Sequence, residues 1–242
     1  MRKSLIVLVT LVLGLSTSSF ASISPLGSQV FLQASSQADP SCNPVVVSNG
    51  QSQGTTLNTL SASVSANSQC NNAVVNTFAD VTASWTSANA GSITFGNIGW
   101  STSNVTNGSA LPFQGLDYTY NFLANANEPL TLNYMITGGG DLGGFGLNGF
   151  NVTLTGPNGN FTFLPINTSG MLSWNLLAGN DYSLNIKNDA NISGGLGTIN
   201  ESMSGQFDFS TAGGTTPEPS SLLLLGTGLL GALGVIRRRI NL

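Results

Sequence analysis

Along much of the chain the apolar residues recur at every second position, in short runs bounded by turn-forming residues. Tyr118, Tyr120 and Phe122 share one face of such a run, as do Leu130, Leu132 and Tyr134, then Val152 with Leu154, then Phe161 with Phe163. Leu172, Trp174 and Leu176 continue the series, followed by Tyr182, Leu184 and Ile186 and by Phe207 with Phe209. A period of two is the mark of a half-buried β-strand. Between the runs stand Asn89-Ala90-Gly91, Asn107-Gly108, Gly156-Pro157-Asn158-Gly159 and Ala178-Gly179-Asn180, residues that accept positive φ or preset a turn. The first half repeats the pattern less regularly: Leu57, Leu60, Ala62 and Val64 alternate in part, residues 74–81 are β-prone, and Ala83-Ser84-Trp85 and Ser92-Ile93-Thr94-Phe95 follow the rule. Helical spacing is nearly absent. Many short strands in a stretch of uniform composition predict an all-β, antiparallel β-sandwich or jelly-roll domain over residues 45–210.

Both ends break this pattern. Arg2 and Lys3 precede an apolar run at residues 5–15, and Ser19-Phe20-Ala21 supplies small residues at cleavage positions, so residues 1–21 read as a helical signal peptide cut after Ala21. At the other end, residues 221–236 carry no charge and run into Arg237-Arg238-Arg239. This predicts one short transmembrane helix; at about 1.5 Å per residue it reaches roughly 24 Å, less than the usual hydrocarbon thickness. The arginines hold its C-terminal end in the cytoplasm and place the domain outside. Ser-, Gln- and Ala-rich residues 22–44 are expected to be a loose approach to the domain, and 211–216 a linker. Gly138 to Gly149 is expected to be a tightly turning or flexible connection.

Setting the ends aside changes the charge. Five of the six basic residues lie in them, which leaves Lys187 against nine acids between residues 22 and 216, a formal charge of 1 − 9 = −8. Nucleic acid is excluded as a partner on that balance. With so few charges, hydration must come from Asn, Gln, Ser and Thr. Cys42 and Cys70 are the only cysteines, both in the exported part, and are expected to form a disulfide; closing such a loop contributes roughly 3 kcal/mol in the chain-entropy model. The chain has no histidine, which removes the ordinary Ser-His-Asp and Cys-His relays and leaves carboxylates such as Glu128 and Glu201 as the sole acid–base candidates. No spacing selects a catalytic pair, so the chain is expected not to be an enzyme and to need no cofactor or metal. Asp181 and Asp189 flank one predicted strand, an arrangement that calcium ligands or ordinary solvated turn residues explain equally well. Among the tryptophans, Trp174 and Trp85 sit on strands, whereas Trp100 follows Ile98-Gly99, precedes polar residues and is expected to be exposed as a ligand contact.

Pro217-Glu218-Pro219, the run Leu222-Leu223-Leu224-Leu225-Gly226 and Arg237-Arg238-Arg239, in that order at the C-terminus, resemble the PEP-CTERM sorting signal of Gram-negative bacteria over residues 217–242. The resemblance implies recognition of the tail by an exosortase, a transpeptidase-like membrane enzyme. It places processing at Pro217, Glu218 and Pro219, temporary anchoring in the bacterial membrane, and release to the cell surface or medium. It also implies association with exopolysaccharide and biofilm matrix. Residues 117–209, with Asp117-Tyr118-Thr119-Tyr120-Asn121-Phe122, Leu154-Thr155-Gly156-Pro157-Asn158-Gly159 and Leu177-Ala178-Gly179-Asn180-Asp181-Tyr182, are similar to pre-peptidase C-terminal domains, small β-sandwiches appended to secreted enzymes. The expected function is a non-catalytic surface or matrix protein; the alternative is a carbohydrate-binding sandwich.

Overall fold

The computed structural model describes residues 22–211, apart from 43–44, 55–57, 107, 112–115, 141–148, 189–191 and 195–196. The expected signal peptide, the transmembrane span at 221–236, Pro217 to Pro219 and the three arginines therefore lie outside the described residues. Those described form strands in two antiparallel sheets, with no helix among them.

Sheet I has at its centre β1 (Ile23–Gln37), β7 (Leu116–Ala124), β12 (Asp181–Asn188), β9 (Gly149–Thr155) and β10 (Phe161–Pro165), hydrogen-bonded in the order β10-β9-β12-β7-β1. On its other side β1 pairs with β2 (Val46–Gly54), and beyond β7 it pairs with β6 (Gly108–Leu111), which carries β13 (Ile192–Gly194). Sheet II runs β11-β8-β14-β5-β4-β3, from β11 (Thr168–Leu176) through β8 (Glu128–Gly140), β14 (Gly197–Thr211), β5 (Ala90–Val105) and β4 (Ala73–Ser87) to β3 (Leu60–Cys70).

The alternation read from the sequence explains the core between the sheets. Tyr118, Tyr120 and Phe122 of β7, Val152 and Leu154 of β9 and Tyr182, Leu184 and Ile186 of β12 point inward from sheet I. Leu130 and Leu132 of β8 and Phe207 and Phe209 of β14 point inward from sheet II. Aromatic rings meet across the gap: Phe95 lies 4.9 Å from Phe150, Phe207 5.1 Å from Phe150, and Phe209 5.3 Å from Tyr120, centroid to centroid. Offset and edge-on ring pairs at such distances add about 0.5–1.5 kcal/mol each beyond area burial.

One expectation is overturned here. Residues 22–44 are no loose approach: Ile23 to Gln37 form β1, hydrogen-bonded along both edges to β7 and β2. Val30, Leu32 and Ala34 do alternate, but the inward row is completed by buried Ser28 and Ser36, and polar residues at inward positions erase the apolar period. The compact unit accordingly runs from Ser22 to Ala212, not from residue 45.

Its two ends come together. The Ser22 amide donates to Asn89 Oδ1 at 3.0 Å, the Thr211 amide donates to the Asn89 carbonyl at 2.9 Å, and the hydroxyls of Ser22 and Thr211 are 2.5 Å apart. A single turn between β4 and β5 thus fastens the first and last described residues.

Candidate functional site

Trp100 is the clearest failure among the expected contacts. It lies on the inner face of β5, paired with Thr77 on β4 and Glu201 on β14, and is 0% exposed. Gly99 beside it packs so closely on β14 that an added Cβ would stand 2.2 Å from the Glu201 carbonyl. The local sequence Ile98-Gly99-Trp100 reads as a turn only if the glycine is taken as a breaker; here it admits the neighbouring backbone. Trp100 is a core side chain and not the exposed one expected. Trp174 is also buried, and its indole N–H donates to Asn160 at 2.5 Å, while Trp85 is partly buried against the core.

Cys42, in the turn after β1, is bonded to Cys70 at the end of β3, with Cα atoms 5.7 Å apart. The bridge therefore ties a connection leaving sheet I to the edge strand of sheet II.

The two glutamates, Glu128 and Glu201, are held far apart from each other. Glu128 begins β8, and Glu201 is paired with Gly140 at the end of the same strand. At about 3.4 Å per residue the two glutamates stand roughly 40 Å apart, where a glycosidase pair needs ~5–9.5 Å. Asp189 and most of the glycine-rich stretch, 141–148, lie outside the described residues. Among the described residues no three Asp, Glu, Cys or His side chains gather as a metal site.

What the fold does assemble is the outer face of sheet I. Strand register sets two straight rows across it. One runs Phe163, Asn151, Lys187, Asp117, Phe31, Gln51 across β10, β9, β12, β7, β1 and β2. The second, two residues along each strand, runs Phe161, Thr153, Asn185, Thr119, Gln29, Gln53. Phe161 is 61% and Phe163 46% exposed. The alternation puts them on one face as expected, but Leu164 takes the core side of β10, so the aromatic face looks out to solvent.

The middle of the face is fixed by hydrogen bonds. Asn185 donates to Thr119 Oγ1 at 3.0 Å and to the Asp117 carboxylate, and Thr119 in turn donates to Asp117 at 3.1 Å. At the β1–β2 end the face sinks into an open groove of about 480 Å³ lined by Gly27, Gln29, Gln53, Asn58 and Asn121. The groove follows a β-bulge between Pro25 and Gly27, where φ of 154° suits glycine alone. These residues carry no apolar periodicity and sit on three different strands and a loop, so their convergence is legible only once the register is known. Phe161-Thr162-Phe163-Leu164 did carry a signal, since consecutive apolar residues at 163 and 164 must face opposite ways.

Residues 215–239 match the family model of the PEP-CTERM protein-sorting motif. No curated protein matches the chain. The motif marks an exported protein that is handled by an exosortase.

Proposed function

We propose that this chain is a non-catalytic protein of the cell surface or extracellular matrix, delivered by its PEP-CTERM tail. The tail is the observation that carries the reading: Pro217, Glu218 and Pro219 are substrate for the sorting enzyme, residues 221–236 hold the chain in the inner membrane, and Arg237, Arg238 and Arg239 keep the far end cytoplasmic. The domain suits the destination. Its hydration rests mainly on amides and hydroxyls, and a disulfide of the kind an oxidising compartment favours ties a connection of one sheet to the edge of the other. The contact between Ser22 and Thr211 fits a domain that begins where the signal peptide is cut and ends where the anchor linker starts.

Fractionation of cells expressing the full chain, with and without Pro217-Glu218-Pro219, tests this. The intact chain should appear at the surface or in the medium with a new C-terminus near residues 217–219, and the deletion should accumulate in the inner membrane at the length left by signal-peptide cleavage. Retention of both forms there, with their C-termini intact, would contradict it.

A further inference from the structure

We propose that the outer face of sheet I is a binding platform for a neutral polysaccharide chain, with Phe161 and Phe163 as its stacking end and the groove at Gly27, Gln53 and Asn121 as its hydrogen-bonding end. This goes beyond delivery to the surface and concerns what the delivered domain holds.

Three observations converge. The first is exposure against composition: two phenyl rings stand on one face of an edge strand, 61% and 46% exposed, although the same strand turns Leu164 into the core. Paired exposed aromatics on a rigid strand cost hydrophobic stability and mark a contact surface. The second is chemical: between those rings and the groove the two rows present Asn151, Thr153, Asn185, Thr119, Gln29 and Gln53, amides and hydroxyls that both donate and accept. Their only charges are Lys187 and Asp117, adjacent in register, so the rows carry no net charge in a domain that is strongly acidic. An anionic polymer gains no attraction here, and a basic one meets one acid beside one base. A ligand rich in hydroxyls, with C–H faces that pack on phenyl rings, answers every group on the surface.

The third is shape. The rows run perpendicular to the strands, and at about 4.8 Å per strand Phe163 and Phe31 lie roughly 19 Å apart. A linear chain laid along them crosses the sheet from β10 and enters the groove over β1 and β2. The hydrogen bonds among Asp117, Thr119 and Asn185 hold the middle of that path in place before any ligand arrives, which lowers the ordering cost of binding.

The test is affinity electrophoresis of the full chain in mild detergent through gels containing galactomannan, xylan, β-1,3-glucan or hydroxyethyl cellulose, beside a gel with polygalacturonate. Retardation by at least one neutral gel, weakened ~10-fold or more in Phe161→Ala/Phe163→Ala and in Gln53→Ala/Asn121→Ala, is expected. The control Met135→Ala/Met171→Ala, which trims the exposed methionines of sheet II, should bind as the parent does. All these residues are at the surface, so thermal melting should show each variant folded. A folded parent that passes every neutral gel unretarded overturns the proposal, as does retardation that the Phe161/Phe163 pair leaves untouched. Dimerisation of the parent that the same pair abolishes would assign the face to a second copy instead. Localisation is read separately by fractionation, so a failure of binding and a failure of delivery are told apart.

Discussion

Replacing Trp100 by alanine distinguishes a core residue from a ligand contact, because the two roles predict different measurements. The indole is among the largest fully buried side chains and is 0% exposed between the paired strands β4, β5 and β14. Burying a ring of this size removes about 150–250 Å² from water, and its truncation leaves a cavity that strands on both sides cannot close; the cost is about 3–5 kcal/mol. For a domain of this length each kcal/mol lowers the melting temperature by about 2–4 °C, so Trp100→Ala should melt roughly 6–20 °C below the parent. Phenylalanine separates volume from polarity. The indole N–H has no hydrogen-bond partner in the structure, so Trp100→Phe removes a buried unsatisfied donor while it refills much of the space. It should cost less than about 1.5 kcal/mol. Thermal unfolding followed by far-ultraviolet circular dichroism reads both. A melting temperature unchanged in Trp100→Ala would place the indole at the surface and refute the reasoning.

Two further measurements test other parts of the fold. Changing Cys42 and Cys70 together to serine releases a cross-link between residues separated by 28 in sequence, about 3.5 kcal/mol in the chain-entropy model, and should lower the melting temperature by roughly 7–14 °C; an unaltered value would mean that the bridge constrains nothing. Burial pushes the phenols of Tyr118 and Tyr120 above their ordinary value, for Tyr120 against a smaller lowering by the Trp85 indole. Stability from keeping them neutral is therefore complete below pH ~10, the unfolded value, and is lost as pH rises beyond it. Alkaline unfolding should be accompanied by the phenolate absorbance of these two residues, and Tyr118→Phe/Tyr120→Phe should remove that part of the absorbance and move unfolding to higher pH. Ionisation of these two phenols in a chain that keeps its circular dichroism would sink the argument.

The all-β architecture was legible because strands such as β7 and β12 bury every second residue with little exception: Tyr118, Tyr120 and Phe122 on one, Tyr182, Leu184 and Ile186 on the other. Where that rule is broken by polar residues facing in, reading fails. β1 buries Ser28, Ser35 and Ser36 beside Val30 and Leu32, and a strand central to sheet I looks like a linker. Trp100 fails for the opposite reason: Gly99 before it and the polar residues after it suggest an exposed position, but the glycine is there because the β14 backbone approaches too closely for a Cβ.

The outer face of sheet I depends on a third kind of information. A period of two assigns Phe161 and Phe163 to one face without saying which face is wet, and that is decided by Leu164, which fills the core position instead. Gln29, Thr119, Asn185 and Thr153 are unremarkable in a chain so rich in amides and hydroxyls; they become a row only through three separate strand registers, each pairing residues far apart in sequence. Shifting any one of those strands by a single residue would turn Val30, Tyr118 or Leu184 outward and expose an apolar side chain. The burial of the core therefore fixes the register, and the register in turn aligns the polar row. A mutation that weakens the inner face, such as one at Tyr120 or Leu184, is for this reason expected to disturb the outer face without touching it.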